Sequence, residues 1–175
     1  MNWVNHMIKI NNKFKFQMFG RNFLNLEKVY TNIPRYDPDH KHLMDEHTFN
    51  LFLNACGIFF STQEIRIIKD SFGDKNGVKY IDFLENVRRD INPKRMATID
   101  HCWDELSDGN VIVLSDLLAI FCPDKHPHTR CKIKKPEEVE KDFIESISKR
   151  SSDGKHLTEL EFKEYYLDVN ACIPF

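Results

Sequence analysis

The sequence predicts an all-α fold with two lobes, each a pair of helix–loop–helix repeats whose neighbouring loops touch through a short β contact. Three observations carry that expectation. Apolar residues recur at steps of three and four over most of the chain, a spacing that gathers them on one helix face. Turn-forming residues interrupt it at PRYDPDH (34–40), GDKNG (73–77), SDGN (107–110) and SSDGK (151–155), a repeat of roughly 35 to 40 residues. An aliphatic residue, Met44, Ile81, Ile112 or Leu157, stands at or near the eighth position of each loop and is expected to form the loop-to-loop contact.

After the first loop, Phe49, Phe52, Leu53 and Cys56 form a helical stripe. Ser61 and Glu64 are spaced as a capping box, and Phe60 and Ile65 flank it as a hydrophobic staple, so the next helix starts there and runs toward Phe72. Phe83, Leu84 and Val87 supply the stripe of the helix leaving the second loop, and Pro93 marks its end. In the third repeat Ile99, Cys102, Trp103 and Leu106 enter SDGN, while Leu114, Leu117, Leu118 and Phe121 leave it. In the fourth, Val139, Phe143 and Ile147 enter SSDGK, while Leu160, Phe162, Tyr165 and Tyr166 leave it. Residues 22–93 are thus expected to form the first pair, 94–170 the second, and 171–175 a short tail.

Residues 1–21 read differently. Ile8, Ile10, Phe14, Phe16 and Met18 partly alternate with Lys9, Lys13, Lys15 and Gln17, and a period of two predicts an extended segment rather than a helix. The segment is too poor in Ser and Arg for a mitochondrial presequence. The expectation is a basic and apolar arm that docks on a partner, with Phe14, Phe16 and Phe19 as anchors and Lys9, Lys13 and Lys15 facing an acidic surface.

The chain of 175 residues is 41% hydrophobic and 30% charged, with a formal net charge of -2. That balance provides no broad basic field, so nucleic acid is excluded as a partner. No apolar run approaches the roughly 18 residues of a membrane span, and no secretory signal is read at the start, so no membrane is expected. Five cysteines without a CxxC pair, an odd count, argue against a disulfide framework and for a reducing compartment. The expected location is the cytoplasm or cytoskeleton.

The stretch DKNGVKYIDFLE, residues 74–85, has the outline of a twelve-residue calcium loop, which takes ligands from positions 1, 3, 5, 7, 9 and 12 and needs glycine at 6. Asp74, Asn76, Asp82 and Glu85 match by side chain, and Tyr80 could contribute its carbonyl. Val78 offers no ligand, and Lys79 would have to adopt the left-handed turn that glycine adopts freely. The first loop, from Asp37, has Asp39 but also Lys41, His42 and Thr48 where ligands or glycine belong. The third, Ser107 to Asp116, is two residues short, and the fourth places Arg150 at position 1 with Glu161 at position 12. The expectation is that no metal binds, with Asp74, Asn76, Tyr80, Asp82 and Glu85 as the residual calcium candidate. Cys122, His126, His128 and Cys131 crowd ten residues, too compactly for a known zinc finger. No catalytic constellation accompanies them, so no enzyme activity and no cofactor are expected.

The chain resembles the calcyphosin family of four-EF-hand proteins from about Leu24 to Asn170. The similarity is most specific in HPHTRCKIKKPEEVEKDFIESISKRSSDGKHLTELEFKEYY (126–166), with its HP-containing linker, acidic helix, extended last loop and EFxxYY ending. Phe49, Leu53 and Gly57 after the first loop, and Pro93, Arg95, Trp103 and Leu106 before the third, are also family-like. The resemblance implies four degenerate EF-hand units and no enzymatic activity. It also suggests a setting, the ciliary axoneme or doublet microtubule, with tubulin or other axonemal proteins as neighbours. The expected function is a structural protein that has lost calcium binding. The alternative is a calcium sensor with one residual site at 74–85 that binds a target helix.

Overall fold

The computed structural model describes residues 3–174 and is mostly helical, with two small antiparallel sheets. In chain order the elements are α1 (Trp3–Gly20), α2 (Glu27–Tyr36), α3 (Glu46–Ala55), α4 (Thr62–Phe72), β1 (Gly73–Asp74), β2 (Gly77–Val78), α5 (Tyr80–Arg89) and α6 (Pro93–Leu106). There follow β3 (Val111–Val113), α7 (Leu114–Ile120), the short α8 (Pro127–Arg130), α9 (Pro136–Ser148), β4 (His156–Thr158) and α10 (Glu159–Asn170). The chain divides into two compact units: one contains everything up to Asp90 together with Asn170 onward, and the other spans Ile91–Val169. The boundary expected after residue 93 falls three residues earlier. The segments expected as a separate arm and tail belong to the first unit. Met1, Asn2 and Phe175, at their extremities, lie outside the described residues.

The expected extended arm is a helix. Met7, Ile10, Phe14 and Met18 are buried at steps of three, four and four, and Asn11 and Lys15 are buried beside them. The alternation of apolar and basic residues arises because Ile8 and Phe16, both exposed, fall between the buried positions in the sequence. Reading both sets as one stripe produced a false period of two. The buried face joins a core with Val29, Phe49, Phe52, Leu53, Ile65, Ile68, Phe83 and Leu84, and Ala171 and Cys172 complete it from the far end of the sequence.

In α4 the capping box forms as its spacing predicts: Ser61 Oγ accepts from Glu64 N–H, and Glu64 Oε2 accepts from Ser61 N–H at 2.6 Å. β1 and β2 close a tight hairpin, and β2 then meets the first loop through paired main-chain bonds, Met44 N–H to Val78 O at 3.0 Å and Val78 N–H to Met44 O at 2.7 Å. Val78 therefore makes the loop contact expected of Ile81, which lies inside α5. Glycine is required at 77: its φ is +153°, and a Cβ there would lie 2.2 Å from the Met44 carbonyl oxygen.

In the second unit, Asn92 caps α6, accepting from Lys94 N–H at 2.8 Å, and Pro93 opens the helix where its missing N–H costs nothing. Ile112 pairs with Leu157 in the β3–β4 sheet, the contact the sequence predicts. Trp103 is buried with its ring centroid 5.7 Å from that of Phe162, and Phe121 stacks on Phe143 at 3.9 Å. The Tyr165 hydroxyl and Ser146 Oγ are 3.1 Å apart beneath this cluster. Among the described residues no helix is long and apolar enough to cross a membrane.

Candidate functional site: loop carboxylates and the first helix

Asp37 caps the C-terminal end of α2 in the first loop, and its carboxylate is buried. It accepts three hydrogen bonds, from Lys41 N–H at 2.9 Å, His42 N–H at 2.8 Å and the Tyr80 hydroxyl at 2.7 Å. His40 and His42 both adopt positive φ, 53° and 57°, and so the backbone between them curls around the carboxylate. Burial alone would raise the Asp37 pKa, but the Tyr80 hydroxyl and the two amides outweigh it and hold the group below the usual carboxylate range. The same burial and the adjacent Asp37 push the Tyr80 phenol well above its ordinary value.

The second loop does not assemble the residual calcium candidate. Asp74 Oδ1 accepts from Asn76 N–H at 2.7 Å across the hairpin turn. Tyr80 already begins α5, with its hydroxyl committed to Asp37. Asp82 lies in the first helical turn and, with Asp74, Lys41, His42, Leu43, Lys79 and Ile81, borders an open cleft of about 480 Å³. Glu85 is farther along α5, paired with Arg88 and, at 2.9 Å, with Arg89 Nε. Burial would raise its pKa, but these two guanidiniums lower it. The physical cause is the Gly73–Val78 hairpin, which consumes the residues a wrapping loop would need and starts the helix at loop position 7. Lys79 accordingly has φ -76° and escapes the left-handed conformation expected of it.

In the third loop Gly109, at φ +70°, turns the chain tightly between Asp108 and Val111. In the fourth, Glu161 accepts from Ser152 N–H at 3.0 Å, Thr158 N–H at 2.8 Å and Thr158 Oγ1 at 2.9 Å. The Thr158 amide is the largest influence holding its pKa down. Arg150, at position 1, pairs with the buried carboxylate of Asp168. Asp153 accepts from Lys155 N–H and His156 N–H, both at 2.8 Å. Among the described residues no group of three or more His, Cys, Asp or Glu side chains is arranged to hold a metal ion. Cys122 and Cys131 are exposed while His128 is buried, and His126 Nδ1 accepts from His128 N–H at 3.2 Å, so the crowded sequence does not gather into a metal centre.

The six predicted docking residues are divided between interior and surface. Phe14 is buried against Phe83, with ring centroids 5.9 Å apart. Lys15 is fully buried, its ammonium bonded to the Asp90 main-chain carbonyl and 3.7 Å from the Asp90 carboxylate. Lys13 pairs with Glu64 at 2.7 Å and lies 5.4 Å from the centroid of the Phe60 ring. Phe19 is partly buried; Phe16 and Lys9 are exposed. Phe14 and Lys15 thus cannot anchor an external partner in this fold, because they are already part of its core.

Polar contacts that the sequence does not disclose hold α1 and the end of α5. The Gln17 side chain accepts from Phe59 N–H at 2.8 Å and donates to Phe59 O at 3.3 Å, matching both main-chain groups of one residue. The Arg21 guanidinium lies 5.2 Å from the Phe59 ring centroid. Asn11 donates to Asn86 Oδ1 and Asp90 Oδ2, each at 3.0 Å. Asn170 donates to the carbonyls of Arg88 at 3.0 Å and Asp90 at 3.1 Å. Carbonyls that the end of α5 leaves without helical partners are thereby satisfied from residues distant in sequence. For Asn11 and Asn170 the signal was a polar residue at a buried helical position, whereas Gln17 is half-buried and Arg21 exposed. Compared with known proteins, the chain matches no family model and no curated protein.

Proposed function

We propose that this protein is a non-enzymatic, metal-independent scaffold of four degenerate EF-hand-like repeats, built into a larger cytoskeletal assembly. The single observation that supports this reading best is the Asp37 site, where a loop carboxylate is satisfied by Tyr80 and two main-chain amides. Glu161 and Glu85 follow the same logic with their own internal donors. A calcium ion entering the second loop would have to break the Glu85 pairs, unwind the start of α5 and draw Asp74 out of its turn. A ciliary axoneme or doublet microtubule, with tubulin or other axonemal proteins as contacts, is the setting suggested by the calcyphosin-like sequence features.

Calorimetry and far-ultraviolet circular dichroism, with calcium and with chelator, test the metal-independent part. The expected result is no heat of binding at micromolar calcium and unchanged helix content. Binding abolished by Glu85→Gln would instead make the protein the calcium sensor. Fractionation of the tagged chain tests the assembly part: it should remain with the detergent-insoluble cytoskeleton, and a chain that is wholly extractable overturns that assignment.

A further inference from the structure

Within the second unit, residues 125–135 contain Lys125, Arg130, Lys132, Lys134 and Lys135 and no Asp or Glu. Lys134 is paired with Asp142, but Lys125, Arg130, Lys132 and Lys135 are exposed, and none of these four has an ion-pair partner among the described residues. Cations elsewhere are balanced from within the chain: Lys41 by Asp39, Arg89 by Glu85 and Lys163 by Glu159. The main chain draws the four together. Lys125 ends a single 3-10 turn, Arg130 ends α8, Lys132 follows at φ +56°, and Lys135 precedes α9. Arg130 N–H donates to His126 O at 3.0 Å and Lys132 N–H to Thr129 O at 2.9 Å, while Ile133 and Lys134 N–H both donate to His128 O, at 2.8 and 3.3 Å. The segment therefore folds back on α8 as one knob that carries four unbalanced cations. Charge of the other sign borders it: exposed Asp124 stands before it, and exposed Glu137, Glu138 and Glu140 follow on α9.

We propose that this basic knob is a docking site for a flexible acidic segment of another protein, whose carboxylates pair with Lys125, Arg130, Lys132 and Lys135. This inference rests on the scaffold reading and names the chemistry of one of that scaffold's contacts. Complementary charge selects an anionic occupant, and cations that no internal group balances can take one without breaking a native pair. Two features choose among anions. A lipid surface or a duplex is negative across its whole width, so reaching the knob would press it against Asp124 and the α9 glutamates, and like charges brought together oppose the contact. A single polypeptide strand is narrow enough to follow the cations and avoid those carboxylates. The four cations also sit at successive turns of the backbone rather than in a row along one helix, so a segment that bends reaches more of them than a rigid helix does.

The test uses the full chain and a fluorescein-labelled peptide of about ten glutamates, which spans at most roughly 35 Å when extended, with a lysine peptide of equal length as control. Fluorescence anisotropy at low salt should show binding of the glutamate peptide only, and that binding should fall as added salt screens the charges. Arg130→Glu combined with Lys132→Glu should weaken it by about tenfold or more, and Lys132→Glu alone by about fivefold. Lys94→Glu, exposed on α6 and outside the knob, changes the net charge as much as Lys132→Glu does and should alter binding by less than about twofold. Melting curves check that the variants remain folded, and Lys125→Gln combined with Lys135→Gln, which reverses no charge, should still weaken binding by about threefold. Absence of binding, equal losses for Lys132→Glu and Lys94→Glu, or binding unaffected by the knob variants overturns the proposal. So does tighter, knob-dependent binding of phosphatidylserine vesicles or of a DNA duplex, which assigns the knob to a membrane or to nucleic acid. Fractionation separates the two readings. An Arg130/Lys132 variant that loses the peptide yet stays in the cytoskeletal fraction sinks the knob alone as a contact of that assembly, whereas a wild type that binds the peptide but is wholly extractable sinks the scaffold reading alone.

Discussion

The hydroxyl of Tyr80 donates to the buried carboxylate of Asp37 at 2.7 Å, joining groups 43 residues apart. It links the first residue of α5 to the loop after α2. A phenol donor and two amides neutralise part of the field of a carboxylate that would otherwise be buried without a counter-charge.

Tyr80→Phe keeps the ring and removes that donor. The expected loss is about 1.5 to 3 kcal/mol, the usual value for a hydrogen bond to a charged group, measured by urea unfolding at neutral pH. Asp37 has a depressed folded pKa, so its contribution is present above its unfolded value of 3.8 and is lost as pH falls through the lower folded value. The difference between wild type and variant should therefore shrink in that acidic range. Equal stability at pH 7 would show that the bond is dispensable.

His128 is buried, and its pKa is pushed down to about 4 by burial, with His126 and Lys134 adding repulsion and Asp142 opposing. Below its unfolded value of 6.5 the unfolded chain binds the proton and the folded one does not, so stability falls between about pH 6.5 and 4 and then levels. The full effect is about 3 kcal/mol. His128→Phe should flatten this slope, leaving the steeper acid loss to carboxylates such as Asp37 and Glu161, whose window lies lower. An identical slope in the variant would contradict the assignment.

Trp103→Ala empties a buried site against Phe162 and should cost about 3 to 5 kcal/mol. A melting temperature within a degree or two of wild type would contradict the packing.

Lys15→Ala leaves the carbonyl and carboxylate of Asp90 without their ammonium partner and removes a buried stem from the core. A loss of about 1.5 to 3 kcal/mol is expected, the usual value for a hydrogen bond to a charged group, read as a lower denaturation midpoint. Deleting residues 1–20 removes Met7, Ile10, Phe14 and Met18 at once and should unfold the first compact unit. The deleted chain remaining folded would show that α1 is an accessory.

The helices were legible wherever one apolar stripe faced one core. Trp103 sits at the three- and four-residue spacing that buries it, and Ile112 with Leu157 needed only the equivalence of two loops. The strand contact of the first pair was misplaced because Gly73 and Gly77 allow a hairpin that a fixed twelve-residue count does not anticipate; Val78 took the place expected of Ile81. In α1 exposed Ile8 and Phe16 fall between buried Met7, Ile10, Phe14 and Met18 in the sequence, and the two sets interleave into apparent alternation. The Asp37 site was hidden for another reason. Its ligand-like acid was recognised, but its donors come from two main-chain amides and from a tyrosine far along the chain, which no local spacing encodes.

Asn170, Ala171 and Cys172 complete the interior of a unit whose other residues precede Ile91. During synthesis these residues emerge only after Ile91–Val169 has been made. The first unit, although encoded first, can finish its core only after the second has had time to form. Until Asn170–Cys172 have been made, the first unit lacks part of its core, and a nascent chain in that state exposes apolar surface that favours aggregation.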